Sequence, residues 1–259
     1  QISATTEQMR ELDPDARCEI SSQDEIGALA ENVNTLYDDL LRTIRDLEKE
    51  MQKVAETETL KTDFLRAASH ELKTPVAAIS TMLENMLLGV GKYKEHDVYL
   101  AKCKEQIDSL GDIIKEILDT SKLDEGVPQE KRDVDMATLI TAVAEPYGLI
   151  AKAKGIVLDI DLSGSFTVNL PVLLFEKAVS NVLANAVAYT EEGGNILVYL
   201  DDGRLVLENE CTPIEPESLS YLYEPFYRPE LARNKNTGGN GLGLYITATI
   251  LKLLGMEYS

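Results

Sequence analysis

The strongest constraint on the fold is a row of apolar residues that recurs at helical spacing in the first quarter of the chain. Its members follow one another at spacings of three or four: Leu36, Leu40, Ile44, Leu47, Met51 and Val54. The row predicts a long helix, and we interpret residues 41–61 as a short coiled coil whose strict heptads are broken by one residue. The alternative is a single amphipathic helix lying on its own domain. Polar residues surround the row and no nearby segment offers it a partner, which favours the coiled coil.

Helical periodicity continues beyond the coiled coil and is then interrupted by a glycine-containing turn. One helix is predicted over residues 62–88, Gly89 and Gly91 break it, and a second helix is predicted over residues 98–123. An antiparallel hairpin of this kind buries only one strip of each helix. A second copy of the chain completes a four-helix bundle most simply, so we predict a homodimer with a helical stem.

From about residue 133 the pattern changes to a mixed α/β one, which predicts a second domain. Pro171 is placed in the first turn of a helix, and Asp202 with Gly203 is typical of a tight hairpin between two strands. The predicted helices span residues 136–153, 171–189 and 242–254, and the predicted strands span 156–161, 166–169, 196–200 and 204–208.

The charge balance restricts the partners of the chain. The sequence has 25 Lys and Arg against 45 Asp and Glu, and its formal net charge of -20 repels nucleic-acid phosphates and anionic membrane surfaces. Cys18, Cys103 and Cys211 lie far apart and lack the Cys/His spacings of zinc sites, so we expect neither disulfides nor structural zinc. No apolar run is expected to reach the roughly 18 residues of a membrane span.

Residues 64–75 carry a candidate nucleophile on the first stem helix. His70 and Thr74 lie four residues apart and share a helix face. Pro75 cannot donate to the carbonyl of Glu71, which weakens the helix one turn beyond the histidine. Glu71 can accept the imidazole proton and raise the nucleophilicity of the other ring nitrogen. A lone histidine on a helix is more often an ordinary surface or partly buried residue, so this interpretation depends on the whole string.

This string resembles the phosphoacceptor motif of sensor histidine kinases, where it lies in a dimerisation and histidine-phosphotransfer domain. The resemblance implies that His70 is phosphorylated from ATP and that Glu71 serves as the base. It implies that Thr74 helps to position water when the protein dephosphorylates its partner. That partner would be the receiver domain of a response regulator.

Two asparagines four residues apart, Asn181 and Asn185, place amide groups on one face of a predicted helix. Such groups can ligate Mg²⁺ and donate to phosphate without the repulsion that carboxylates would impose on ATP. Most Asn pairs only cap helices or face solvent, but apolar residues are interleaved with this pair. Residues 181–190 resemble the N box of the Bergerat-type (GHKL) ATP-binding domain. The resemblance implies that Asn181 is the Mg²⁺ ligand, that Asn185 contacts phosphate and that Tyr189 borders the nucleotide.

A glycine-rich turn opens the last predicted helix. Glycines let the backbone approach phosphate oxygens, and a helix N-terminus adds N–H donors. Following residues 224–228, the turn resembles the F box, mobile lid and second glycine box of histidine kinases. The resemblance implies a lid over residues 229–240, and Arg228 and Arg233 as phosphate contacts, although a solvated surface role suits each arginine equally. The other implied nucleotide contacts are Gly239, Gly241, Leu242 and Gly243.

The chain departs from the family pattern before the F box. There the family carries Asp-x-Gly-x-Gly, whose aspartate accepts the adenine amino proton, whereas residues 209–213 here begin with Asn209 and contain neither glycine. The Asn carbonyl still accepts that hydrogen bond but lacks charge assistance worth about 1 kcal/mol, so we expect weak ATP binding. If the alignment with the family motif is shifted by one residue, Glu208 occupies the position of that aspartate and accepts the hydrogen bond. Ala188 is a second departure, because many family members have a basic residue there.

The resemblance covers most of the chain and implies four segments. Residues 1–40 are similar to the end of a HAMP linker, 41–61 form the coiled coil, 62–126 form the dimerisation and phosphotransfer domain, and 133–259 form the catalytic α/β sandwich. Such linkers follow a transmembrane helix, and the chain opens at Gln1 rather than Met. We therefore expect the cytoplasmic part of a bacterial membrane protein whose anchor lies upstream.

The hypothesis is an ATP- and Mg²⁺-dependent protein-histidine kinase that is also a phosphatase of its response regulator. The alternative is a degenerate kinase that acts mainly as a phosphatase or scaffold with weak ATP binding, in which Asn209, Cys211 and Ala188 reflect lost ATP turnover. A chaperone ATPase of the same nucleotide fold would leave the His70 string unexplained.

Overall fold

The computed structural model describes residues 2–19, 22, 24–124, 130–164, 166–201, 203–229 and 239–259. The chain divides into two compact units, residues 1–65 and 66–259, each with its own buried apolar cluster.

The first unit is a helix, a loop and the start of a second helix. Helix α1 spans Ile2–Arg10 and helix α2 spans Glu25–Leu87, so α2 continues into the second unit. Asp24 caps α2, because its Oδ1 accepts from the backbone amides of Ile26 and Gly27. The long helix predicted from the apolar row is confirmed, whereas α1 was not among the predicted helices. The buried residues of this unit are Met9, Ala16, Cys18, Ala30 and Tyr37.

The apolar row on α2 is exposed in a single chain. Leu36, Leu47, Met51 and Val54 are each at least 60% exposed. The single-helix alternative required these side chains to pack against their own chain. In the described residues they do not. The coiled coil with a second copy stays a prediction.

The second unit begins with a helical hairpin. Helix α2 ends at Leu87, a 3₁₀ turn spans Gly91–Lys94, and helix α3 spans His96–Asp124. Gly89 and Gly91 have positive φ, as the predicted break between the helices requires. The hairpin buries one strip of apolar residues: Ala68, Met86, Tyr99, Cys103 and Ile113. A second strip stays exposed: Val76, Leu83, Leu100, Ile107, Ile114 and Leu118.

The rest of the second unit is an α/β sandwich of helices and two small sheets. Its helices are α4 (Met136–Ala153), α5 (Val172–Tyr189), α6 (Pro216–Leu219) and α7 (Gly243–Leu254). Its strands are β1 (Lys131–Asp135), β2 (Val157–Asp161), β3 (Thr167–Pro171), β4 (Asn195–Asp201) and β5 (Arg204–Asn209). Strand β4 pairs in parallel with β2 and antiparallel with β5, while β1 pairs antiparallel with β3. The core lies between helices and sheets, with Ile140, Leu183 and Ile196 fully buried.

Two local predictions need correction. No strand is predicted before residue 156, yet Lys131–Asp135 forms β1, which pairs with β3 along its whole length. Pro171 ends β3 and precedes α5 as its N-cap residue, one position before the predicted place in the first helical turn. The predicted β4–β5 hairpin is confirmed, with Asp201 opposite Arg204 and Gly203 at φ 76°; Asp202 lies outside the described residues.

Helix α5 corrects the expectation that no apolar run approaches a membrane span. Among the described residues, Val172–Tyr189 alone is long and apolar enough for a span by length and composition. The helix packs into the sandwich core through Phe175, Ala178, Val179, Leu183, Ala186 and Val187. Its apolar character is therefore explained by its place in that core.

Candidate functional site

His70 is exposed on the stem helix, where its imidazole is open to another molecule or domain. Glu71, the next residue, is half-buried, and Thr74 is exposed one turn further on. The Thr74 hydroxyl donates to the carbonyl oxygen of His70 at 3.3 Å. Helix α2 continues without a break through Pro75, so the predicted weakening amounts to one missing backbone hydrogen bond.

Asn181 joins helix α5 to the first residue of α7. Its Nδ2 donates to the carbonyl oxygen of Gly243 at 3.2 Å. Because the amide nitrogen is engaged in this way, Oδ1 is the atom of Asn181 that can coordinate a cation. A longer polar contact lies nearby: the hydroxyl of Thr247, which is 2.9 Å from the carbonyl oxygen of Gly243 in its own helix, is also 3.3 Å from the carbonyl oxygen of Ala178 in α5.

Asn185 and Tyr189 follow Asn181 along α5 at intervals of four residues. Both are half-buried, and four-residue spacing places all three side chains on one side of the helix. The structure therefore brings together the three predicted nucleotide contacts of α5. Ala188 is also half-buried and contributes no charge.

The N-terminus of α7 directs backbone amides toward the end of the helix that adjoins Asn181. Leu242 is fully buried as its N-cap residue and offers no side-chain hydrogen bond to the first turn. The N–H groups of Gly243 and Leu244 in the first turn, together with the positive end of the helix dipole, suit an anion. Gly241 precedes them at φ 76°, and Gly239 is exposed. The N–H groups of the first turn can thus donate to a nucleotide phosphate, and Oδ1 of Asn181 beside them can hold the bound Mg²⁺.

Only part of the predicted lid can be placed. Arg228 is half-buried at its start, and Asn240 is half-buried at its end. Residues 230–238, including Arg233, lie outside the described residues.

Asn209 is the last residue of β5 and faces the helix layer. It lies opposite the fully buried Ile196 of β4, and cross-strand partners share a face of the sheet. Its Nδ2 donates to Thr190 Oγ1 at 3.2 Å, just beyond the end of α5. The register therefore places Asn209, and not Glu208, beside α5.

Glu208 points to the other face of the sheet and does not replace the family's aspartate. Its Oε1 accepts from the hydroxyl of Tyr199 at 2.9 Å, and this hydrogen bond raises the pKa of Tyr199. The one-residue slip considered from the sequence is thus wrong, because successive residues of a strand face opposite ways.

A contact between helix α3 and the sandwich was not predicted. The carboxylate of Glu116 is hydrogen-bonded to the side chain of Asn240, while its Oε2 is buried without a partner in the described part of the chain. Burial is the main cause that raises the pKa of Glu116; Asn240 and Lys177 oppose it, and Asp112 and Asp119 add to it. Lys177 Nζ also lies 3.5 Å from Asp119 Oδ2.

Sequence reasoning did not single out Thr190, Glu116 or Lys177, and it gave Asn240 only as the last residue of the predicted lid. Thr190 carried a weak signal, because a hydroxyl residue directly after a helix often bonds to the last turn. The other three are brought together only by the packing of α3 on the sandwich, for which the sequence carries no periodic signal.

Two family models match the chain. The model of the His Kinase A (phospho-acceptor) domain matches residues 60–126, and that of the histidine kinase-, DNA gyrase B- and HSP90-like ATPase matches residues 172–259. The first range contains His70, and the second contains every predicted nucleotide contact.

Curated relatives match over almost the whole chain. The sensor histidine protein kinase HK06 of Streptococcus pneumoniae is 31% identical over 258 residues, covering 100% of this chain and 58% of the relative. The sensor protein VanSB of Enterococcus faecalis is 36% identical over 247 residues, covering 93% of this chain and 55% of the relative. The chain therefore spans a little over half the length of these relatives.

Solved structures share the fold. The Acinetobacter baumannii histidine kinase AdeS matches with a TM-score of 0.53 at 21% identity, over 71% of this chain and 86% of that one. The histidine kinase ThkA, crystallised in complex with the response regulator protein TrrA, matches with a TM-score of 0.57 at 20% identity, over 70% of this chain and 55% of that one.

Proposed function

This chain belongs to the two-component sensor histidine kinases, and on that premise we propose that it phosphorylates His70 from ATP and passes the phosphoryl group to a response-regulator aspartate. The observation that carries the proposal is that one chain has both an exposed imidazole on α2 and the N-terminus of α7 in contact with Asn181. One chain thus holds a phosphoryl acceptor and a place for a phosphoryl donor.

The proposed transfer forms a bond between a ring nitrogen of His70 and the γ-phosphorus of ATP. The bond from that phosphorus to the bridging oxygen breaks, and ADP leaves. Glu71 accepts the proton from the other ring nitrogen, which keeps the attacking nitrogen electron-rich. In a second step an aspartate of the partner protein takes the phosphoryl group from His70 and restores the imidazole.

The nucleotide is proposed to lie along α5. Asn181 Oδ1 would hold Mg²⁺, and Asn185 with the amides of residues 239–243 would donate to phosphate oxygens. A bound Mg²⁺ would supply neutralisation of phosphate charge during transfer. Tyr189 would border the ribose and base, Asn209 would accept from the adenine amino group, and Arg228 would contact phosphate.

The domain arrangement and partners are proposals of the same kind. We assign residues 1–40 to the end of a HAMP linker, 41–61 to a coiled coil, 62–126 to dimerisation and phosphotransfer, and 133–259 to ATP binding. The exposed strips on α2 and α3 support a homodimeric stem. The relatives are sensor proteins, which supports an upstream membrane anchor and a cytoplasmic place for this part. ThkA is described in complex with a response regulator, which supports such a partner here.

Incubation of the purified chain with ATP labelled at the γ-phosphate tests the proposal. Acid-labile, base-stable label should appear on the wild type and be absent from His70→Gln, while both proteins bind ADP equally. Label on His70→Gln would refute the phosphorylated residue. A wild type that binds ADP without becoming labelled would favour the degenerate kinase, and one that binds no nucleotide at millimolar concentration would refute the nucleotide site.

A second, opposing activity is also proposed, in which water attacks the phosphorylated aspartate of the regulator and releases inorganic phosphate. Thr74 is exposed on the same helix face as His70 and would position the attacking water. Thr74→Ala should lower the rate at which phosphorylated regulator loses phosphate and leave His70 labelling within about twofold of the wild type. Equal losses of both activities would contradict this role.

A further inference from the structure

We propose that Thr190 is a positioning residue that makes the nucleotide site select adenine over bases with an oxygen at the 6-position. Thr190 would hold the side-chain amide of Asn209 in one orientation, in which Oδ1 faces the base and Nδ2 faces Thr190. The inference rests on the proposed function, in which a nucleotide lies along α5 with its base at Asn209.

The orientation of the Asn209 amide follows from a chain of two hydrogen bonds. Thr190 has a single hydroxyl proton, and its Oγ1 donates that proton to the carbonyl oxygen of Ala186 at 2.7 Å. Oγ1 can then only accept from Asn209, whose Nδ2 lies 3.2 Å away. If the amide rotated by half a turn, Oδ1 would face an oxygen that has no proton left to give.

The Thr190 side chain is itself held in place. It is 7% exposed, and its own backbone amide also donates to the carbonyl of Ala186 at 2.9 Å. Its methyl group packs on Gly194, where an added Cβ would lie only 2.9 Å from Thr190 Cγ2. Packing of the methyl group and the bond to Ala186 together fix the hydroxyl.

The neighbouring carboxylates are engaged elsewhere. Glu208 accepts from Tyr199 on the opposite face of the sheet, and Glu210 Oε2 accepts from both nitrogens of Asn195. Neither takes over the contact of Asn209 with a base. Asn209 Oδ1 is therefore the acceptor that β5 presents beside α5.

The distance along α5 suits a nucleotide. Asn181 and Thr190 are nine positions apart in the sequence, which is about 13 Å of helix at 1.5 Å per residue. An extended nucleoside triphosphate spans a similar length from its base to its terminal phosphates. A nucleotide whose phosphates lie at Asn181 therefore brings its base to the end of α5 and to Asn209.

The selectivity follows from the chemistry of the 6-position. Adenine carries an amino group there and donates to Oδ1, whereas hypoxanthine and guanine carry a carbonyl oxygen that would face Oδ1 without a proton between them. An aspartate has two acceptor oxygens and rejects these bases in any orientation. An asparagine rejects them only if its amide is held, so its presence makes the selection depend on Thr190.

Competition between ADP and inosine diphosphate tests the inference, because the two ligands differ in the base ring while sharing ribose and phosphates. Calorimetric titration of the wild type should give at least about tenfold tighter binding of ADP. Thr190→Val keeps the methyl packing but removes the acceptor for Nδ2, so the preference should fall to about threefold or less. Thr190→Ser should keep the preference, and Thr190→Val with Asn209→Asp should restore it.

The matched control is Thr249→Val, which removes a half-buried hydroxyl that also donates to the carbonyl oxygen four residues before it, at 2.9 Å; its preference should equal that of the wild type. Equal affinity of the wild-type protein for ADP and inosine diphosphate would overturn the inference before any variant is made. Thr190→Val that binds ADP and keeps the full preference also overturns it. If the wild-type protein binds neither diphosphate, the proposed nucleotide site is refuted. That outcome differs from equal binding of the two, which refutes only the role of Thr190.

Discussion

The backbones of Phe226 and Gly241 lie directly against each other. The amide of Phe226 donates to the carbonyl oxygen of Gly241 at 3.0 Å, and both residues have positive φ, 62° and 76°. A Cβ built on Gly241 would lie 2.8 Å from the carbonyl carbon of Phe226 and 2.9 Å from the carbonyl oxygen of Tyr227. The two ends of the predicted lid are thus joined at a point where only glycine fits.

Gly241→Ala should therefore lower both stability and nucleotide affinity. The left-handed conformation costs an alanine about 1–2 kcal/mol, and the approach of Phe226 adds to this cost. Displacement of the segment before α7 should weaken ADP binding by about tenfold or more. Thermal unfolding and ADP titration measure the two effects.

Gly203→Ala is the matched control, because Gly203 has the same φ of 76° and its built Cβ meets no atom within 4 Å from the described residues beyond its chain neighbours. It should show the conformational cost alone and bind ADP normally. Equal destabilisation by the two alanines would show that the contact with Phe226 is easily relieved.

Glu116→Gln should stabilise the chain at neutral pH. The folded state raises the pKa of this carboxyl through burial, so the folded state binds the proton more readily than the unfolded state does. The penalty for the charged form is present above the raised pKa and disappears as the pH falls toward the ordinary carboxyl value. Glutamine keeps an oxygen for Asn240 and has no charge to bury, so its unfolding midpoint at pH 7 should exceed that of the wild type.

The gain from Glu116→Gln should shrink as the pH is lowered from 7 to the ordinary carboxyl range. Glu105→Gln, at an exposed position of the same helix α3, serves as the control for general loss of negative charge. A gain that is the same at every pH, or that Glu105→Gln reproduces, would contradict the buried-carboxyl explanation.

Lys177→Ala should have a small effect on stability and a larger one on the titration of Glu116. Its ion pair with Asp119 is partly exposed, at 38% and 34% for the two side chains, and such pairs contribute about 1 kcal/mol or less. Lys177 also lowers the pKa of Glu116, so its removal should move the pH dependence toward higher pH. Unfolding midpoints measured across pH would show no such movement if the two side chains are not coupled.

Asn181→Ala should weaken ADP binding mainly in the presence of Mg²⁺. Loss of a metal ligand should reduce Mg²⁺-dependent affinity by about tenfold or more, whereas affinity measured in excess chelator should change less. Thr247→Val is the control, because it removes another polar contact between α5 and α7 without removing a candidate ligand. Equal loss with and without Mg²⁺ would assign Asn181 a structural role only.

Periodicity and turn chemistry predicted most of the elements around the site. Helix α4 has the predicted bounds, and the Asp-Gly hairpin joins β4 to β5 as expected. Strand β1 was missed because four of its five residues, Lys131, Arg132, Asp133 and Asp135, are charged. Its pairing with β3 is a tertiary effect that outweighs such composition.

The site itself was predictable where its residues share one helix or one turn. Asn181, Asn185 and Tyr189 fall on one side of α5 because their spacing requires it. The contact of Glu116 with Asn240 joins distant parts of the chain, and the bond between Asn209 and Thr190 depends on the register of β5. Neither relationship follows from local pattern, since both need the packed arrangement of helices and sheet.

The apolar strips left uncovered on α2 and α3 link the folding of the proposed stem to protein concentration. If a second copy covers Leu100, Ile107, Ile114 and Leu118 as proposed, the burial of these side chains adds stability that depends on the concentration of the chain. Dilution should then lower the melting temperature of the stem. At low expression levels, a larger share of the protein would then be monomeric, with a less stable helical stem.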